Sequence, residues 1–387
     1  MSREGECVVV TVNHRLNILG YLDLAPFAER YENSGNAGMA DLVAALLWVQ
    51  ENIAAFGGSP ANVTIFGQSG GGMKVSALLQ IHAADGLFRK GIIMSGVLDE
   101  RFLGTSRGDG EMVVEAMLQE LGLTRVDIGK LETLPYPELV RAYEIAAGPI
   151  RARGGYVGQT PQINDYYPGE PQHVGFTGHA KKVPLLVGSV FGEFAFAPLS
   201  YDRKRLTDGD VRSRLSASFG DQAEALTQAF KAAYPDKHPM DLLSYDSAFR
   251  TPTMELIRAA AEQSDAPVWS YLFAFEFPLQ GGKPAWHCSD IPFVFYNTDL
   301  VPSANVPGTT EKLQQQIFDA VMSFARTGDP NHAELPNWPA TVPGDEATMI
   351  FDRTCRVGHN FDHELQKIHR AATKTRPLIS DDGPMQH

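Results

Sequence analysis

The chain has 387 residues, with 33 basic against 46 acidic side chains for a formal charge of −13, and 43% of its residues are apolar. That composition is ordinary for a globular protein with a sizeable core, and its negative charge, with no basic run to offset it, makes nucleic acid an unexpected partner. No unbroken apolar stretch approaches the roughly 18 residues that span a bilayer, so no membrane span is expected.

In chain order, residues 7–13 (Cys7-Val8-Val9-Val10-Thr11-Val12-Asn13) form a continuous β-branched run, the pattern of a strand buried on both faces. Ala37, Leu42, Ala45, Leu46, Val49, Ile53 and Phe56 then recur at helical steps until Gly57-Gly58-Ser59-Pro60 ends them. Residues 62–67 read as strand, 75–81 as helix after a glycine-rich turn, and 91–94 as strand. Two helices are expected at 112–121 and 136–147, a strand at 183–187, a helical block over 208–264, a strand at 268–275 and a helix at 311–326. Strands alternating with helices give an α/β fold with a mostly parallel sheet. The stretches near 99–182 and 198–266 read as helical insertions within one domain spanning 1–387, and 380–387 as a polar end. Cys7, Cys288 and Cys355 are too few for a disulfide framework and favour a reducing, cytoplasmic compartment.

The most informative segment is Gly67-Gln68-Ser69-Gly70-Gly71-Gly72, which fits G-x-S-x-G between a strand and a helix. In such a nucleophile elbow the serine sits on a strained turn, and glycines on either side let strand and helix approach closely. A serine hydroxyl needs an imidazole to take its proton, and the imidazole needs a carboxylate to orient it. Catalytic groups in parallel sheets lie beyond the carboxyl ends of strands. Glu193 follows the strand at 183–187 by a short turn, and His287 follows the strand at 268–275, giving the order Ser, acid, His. On position alone either can be an ordinary ion-pair or surface residue, and many carboxylates lie between Ser69 and His287.

Long stretches resemble the type-B carboxylesterase family, which includes the cholinesterases. The resemblance rests on Val8-Val9-Val10-Thr11-Val12-Asn13-His14-Arg15-Leu16, Ser34-Gly35-Asn36-Ala37-Gly38, Asn52-Ile53-Ala54-Ala55-Phe56-Gly57-Gly58, Asn62-Val63-Thr64-Ile65-Phe66-Gly67-Gln68-Ser69 and Phe324-Ala325-Arg326-Thr327-Gly328-Asp329-Pro330. It implies an α/β-hydrolase fold and a serine esterase with the catalytic triad Ser69, Glu193 and His287. The family's usual asparagine and aspartate before the acid are here Val190 and Gly192. It also implies an Arg15–Asp41 ion pair bracing the first strand, and Cys288 as a small packing residue.

The backbone N–H of Gly70 is the expected oxyanion donor, yet no upstream glycine-rich loop supplies the others. The resemblance implies that this chain starts at the fourth strand of the family sheet and lacks the first strands. A slot beside the nucleophile strand is then either open or closed by re-pairing. Losing even one oxyanion donor typically costs about 10²- to 10³-fold in rate. The expected activity is hydrolysis of a small-molecule carboxylic ester through an acyl-enzyme, with no metal and no organic cofactor. Trp286, Phe194, Phe196 and Tyr201 are candidates for an apolar substrate wall. The alternatives are a catalytically impaired fragment and a non-catalytic cholinesterase-like binding domain.

Overall fold

The computed structural model describes residues 1–97, 110–153 and 157–373. The expected start of the first insertion at residue 99 and the polar end at 380–387 lie outside them. The strands are β1 (Thr64–Gln68), β2 (Lys90–Met94), β3 (Leu185–Val190), β4 (Val268–Phe273), β5 (Glu276–Phe277), β6 (Lys283–Pro284), β7 (Ala347–Phe351) and β8 (Arg356–His359). Six of them form one sheet in the order β1-β2-β3-β4-β7-β8, parallel throughout except for the antiparallel pair β7–β8, while β5 and β6 make a separate hairpin.

Every residue of β2, β3, β4 and β7 is buried, as a parallel sheet covered on both faces requires. Alternate side chains point to opposite faces. Ile92, Met94 and Leu186 join a core shared with Leu226 and Phe230 of the helix Ala223–Ala233 and with Ile317 and Val321 of the helix Thr310–Thr327. Ile93, Leu185 and Val187 join a second core with Met39 and Val43 of the helix Ala37–Asn52, Leu78 of the helix Gly70–Leu78, and Leu256 and Ile257 of the helix Arg250–Gln263. The two helices found where 112–121 and 136–147 were expected, Glu111–Glu120 and Tyr136–Arg151, build a third core around Val113, Met117, Leu139 and Tyr143. Arg250 and Asp362, both buried, form a two-pronged ion pair at 2.9 and 3.2 Å that ties the helix Arg250–Gln263 to the segment before the last helix, His363–Thr373.

Residues 7–13 are the main departure from the sequence expectation. They lie in no strand, and Val8, Val10 and Val12 are each 40% exposed. A strand buried on both faces needs a neighbour for its N–H and C=O groups, and no described strand pairs with these residues. The sheet has not closed the slot by re-pairing: β1 is its end strand and is half-exposed along its length. Arg15 does pair with Asp41, through Nη2–Oδ1 at 2.7 Å and Nε–Oδ2 at 2.9 Å. The brace therefore joins the helix Ala37–Asn52 to an extended segment rather than to a sheet strand.

The stretch Glu29–Phe56 includes a window of mean hydropathy 1.3 and has the length and composition to cross a membrane, which counting unbroken apolar residues did not bring out. In this structure Met39, Val43 and Leu46 of that stretch pack into the core, while Leu47, Trp48 and Phe56 are exposed.

Candidate active site

The register of the sheet gathers the carboxyl ends of its strands. Gln68 of β1 lies beside Met94 of β2, Met94 beside Gly188 of β3, and Val190 beside Phe273 of β4. The ladder continues one step past β1, where the Ser69 N–H donates to the Met94 carbonyl at 2.8 Å. The chain then reverses at once into the helix Gly70–Leu78, and Ser69 takes φ 57° and ψ −125°. Only a few per cent of non-glycine residues adopt positive φ, and such strain concentrates at functional sites.

Space explains the glycines. A β-carbon on Gly67 would overlap the carbonyl of Gly71, and one on Gly72 would stand 2.8 Å from the Cα of Gly96. A β-carbon on Gly71 would meet nothing. The close approach of strand and helix therefore falls on Gly67 and Gly72, whereas the motif pattern had pointed to Gly67 and Gly71. Gly70 opens the helix, so its N–H is among those with no partner inside the helix and is free to meet a ligand oxygen.

Glu193 lies three residues beyond β3 and is fully buried. Its Oε1 accepts from the Val190 N–H at 2.9 Å, and its Oε2 accepts from His287 Nδ1–H at 2.5 Å. The His287 N–H also donates to the Glu193 carbonyl at 3.1 Å. A carboxylate that faces one ring nitrogen fixes the tautomer and leaves Nε2 for the substrate side. Burial disfavours charge on the imidazole, but hydrogen bonds to Cys288 and Glu193, together with the Glu193 charge, outweigh it and lift His287 from 6.5 to about 10. Two further acids near Glu193 are buried. Asp246 and Asp290 are each raised to about 7, first by burial and then by the Glu193 charge.

The structure thus brings together Ser69, Gly70, Glu193 and His287. It also places a residue that sequence reasoning passed over. The side-chain amide of Gln68 lies 3.1 Å from His287 Nε2, so this nitrogen is engaged by Gln68 rather than by the Ser69 hydroxyl. As placed, the amide nitrogen donates to a neutral ring, and a half-turn of the amide presents its oxygen to an imidazolium. The available signal was position alone, a polar side chain at the end of β1 next to the nucleophile.

Of the expected aromatic wall, Phe194 and Phe196 are exposed beside the imidazole, with the Phe196 ring 6.4 Å from that of His287 and the two phenylalanines 6.5 Å apart. Trp286 instead packs on Phe277, and Tyr201 lies under Arg214. Phe249 completes the cluster at 5.2 Å from His287 and 5.7 Å from Phe194. It is set there by Asp246, whose carboxylate accepts from the Ala248 and Phe249 N–H groups at 3.0 and 2.9 Å. No sequence motif links Phe249 to this site, since it arrives from the start of a distant helix. Among the described residues no group of three or more His, Cys, Asp or Glu is arranged to hold a metal ion.

Comparison with known proteins agrees with this architecture. Residues 1–368 match the model of the carboxylesterase family. The para-nitrobenzyl esterase of Bacillus subtilis (strain 168) is 33% identical over 384 residues, which cover 95% of this chain and 73% of that protein. The fumonisin B1 esterase of Sphingopyxis macrogoltabida is 32% identical over 351 residues, covering 86% of this chain and 61% of the relative. Among solved structures, an esterase from the anaerobe Clostridium hathewayi that can hydrolyse aliphatic aromatic polyesters is 54% identical with a TM-score of 0.93, over 96% of this chain and 74% of that one. Family match, esterase relatives and the parallel sheet agree: the chain belongs to the carboxylesterase family, ester-hydrolysing serine hydrolases of the α/β-hydrolase fold.

Proposed function

We propose that the chain hydrolyses carboxylic esters through a triad of Ser69, His287 and Glu193. The observation that carries this reading is the buried Glu193 carboxylate, 2.5 Å from His287 Nδ1, at the sheet edge where Ser69 sits in a strained turn. Ser69 Oγ attacks the ester carbonyl while His287 Nε2 takes its proton, and Glu193 stabilises the imidazolium. The Gly70 N–H receives the oxyanion. The imidazolium then protonates the departing alcohol, and water, activated by the same histidine, releases the acid and restores the serine.

The substrate reading follows the aromatic cluster. Phe194 and Phe196 are large apolar side chains left exposed beside the imidazole, a surface suited to a flat or apolar group on the ester. Relatives described as a para-nitrobenzyl esterase and as an esterase acting on aliphatic aromatic polyesters fit that chemistry.

The test is stoichiometric labelling of the purified chain with a fluorophosphonate, with Ser69→Ala and His287→Ala as controls. Labelling of the wild type, abolished by Ser69→Ala and strongly slowed by His287→Ala, is the expected result. A folded wild-type chain that takes no label refutes the catalytic reading of this chain and leaves a binding domain in its place.

A further inference from the structure

Lys74 lies on the elbow helix Gly70–Leu78, and its side chain runs back to the first turn. Its ammonium donates to the Gly70 carbonyl at 3.1 Å, and a β-carbon built on Gly70 would lie 3.6 Å from it. Adding bond lengths to that contact places the ammonium within about 9 Å of the Ser69 Cα. The side chain is half-buried, and burial, the sole cause, lowers its pKa.

This is an unfavourable place for a lone cation. Desolvation disfavours the charge, the start of a helix carries positive partial charge, and the first turn holds no acidic residue. The other two ammoniums that burial disfavours among the described residues have side-chain or paired carbonyl partners: Lys90 is held by Asn62, and Lys283 by the carbonyls of Phe196 and Ala197. Among the described residues, the hydrogen-bond partner of Lys74 is one neutral carbonyl, and no carboxylate forms an ion pair with it. A neutral side chain would avoid these costs, so the charge calls for an anionic partner that the described residues do not supply.

Resting on the ester hydrolysis proposed above, we infer that Lys74 is a specificity-determining residue that receives a carboxylate on the substrate, favouring half esters of short dicarboxylic acids. A carboxylate two or three carbons from the ester carbonyl spans the gap between Ser69 and the ammonium. Hydrolysis of such a half ester consumes one water and releases the alcohol and the dicarboxylic acid.

The test compares mono(4-nitrophenyl) succinate with the neutral 4-nitrophenyl butyrate on the wild type, Lys74→Met and Lys74→Arg. Loss of a charged hydrogen bond is expected to raise KM for the succinate about 10- to 100-fold in Lys74→Met, with butyrate changed less than about twofold and Lys74→Arg retaining most of the preference. Equal losses on both esters mean that the ammonium serves the elbow rather than a substrate charge and overturn the proposal, as does no change on either. A readout without turnover separates this from failure of the esterase reading: monomethyl succinate binding to the Ser69→Ala chain, followed by NMR saturation transfer. Binding that disappears with Lys74→Met supports the carboxylate site even in a chain that takes no fluorophosphonate. Binding absent with Lys74 present, or unchanged by its loss, overturns it.

Discussion

Glu193→Gln changes one buried oxygen to an amide nitrogen and keeps the shape, so its effect follows from the hydrogen bonds. With the amide oxygen on the Val190 N–H, the NH₂ group faces His287 Nδ1 and drives the ring proton to Nε2, which can no longer accept from Ser69. Turned the other way, the amide restores the tautomer but sets two donors against each other at Val190. A buried N–H left unmade costs about 1–3 kcal/mol, so that orientation is rarer by about 5- to 150-fold. In neither orientation does a negative charge face the imidazolium, and carboxylate-to-amide changes at such positions cost about 10⁴ in kcat. The expected fall in the second-order rate of fluorophosphonate labelling is therefore about 10³- to 10⁴-fold, with circular dichroism unchanged. The pH profile supplies a second readout. Because the folded pKa of His287 is raised, the imidazolium–carboxylate pair stabilises the fold fully below pH 6.5 and is lost as pH rises through about 10. The neutral base grows over the same window, so the wild-type labelling rate climbs with pH above 6.5, and Glu193→Gln moves that limb downward. A variant that labels within tenfold of the wild type, on an unshifted profile, refutes the role given to Glu193.

Two further substitutions probe the elbow. Gly67→Ala places a methyl group against the Gly71 carbonyl, and overpacking of this kind costs about 1–3 kcal/mol; a Tm lowered by about 2–10 °C together with slower labelling is expected, and an unchanged melt with full labelling contradicts the close-approach argument. Gln68→Ala frees His287 Nε2 from the amide 3.1 Å away. Removing a competitor worth about 1 kcal/mol should speed labelling about fivefold, and a slower rate instead makes Gln68 a support for the histidine.

The elbow was legible because its chemistry is local. Gly67, Ser69 and Gly72 are close in sequence, and the turn they make is dictated by backbone clearance alone. Glu193 and His287 fall after strands, where parallel strands put their carboxyl ends on one edge, but position alone left them among other carboxylates and histidines, and it was the family resemblance that singled them out. What the sequence did not yield depends on partners far along the chain. Residues 7–13 have every local mark of a buried strand, but a strand exists only with a neighbour. Phe249, 38 residues before His287, meets it through a turn that the buried Asp246 holds just ahead of the helix Arg250–Gln263. β7 and β8 were not anticipated; β8 includes Arg356, Gly358 and His359, a poor match to an alternating apolar pattern, and is held by its antiparallel partner. Lys74 was passed over because a lysine in a helix is unremarkable until its neighbours are known to be neutral.

The end position of β1 sets how firmly the nucleophile is held. Strands β2 and β3 are flanked on both sides, whereas β1 has one ladder and is half-exposed throughout. Local opening free energies follow such differences in protection, so amide protons of β1 should exchange with solvent well before those of β2. The Ser69 turn, held at positive φ, thus hangs from the most readily frayed of the parallel strands. Its geometry is only as persistent as that single row of hydrogen bonds, and a ligand that clamps Ser69 should slow exchange along β1 more than anywhere else in the sheet.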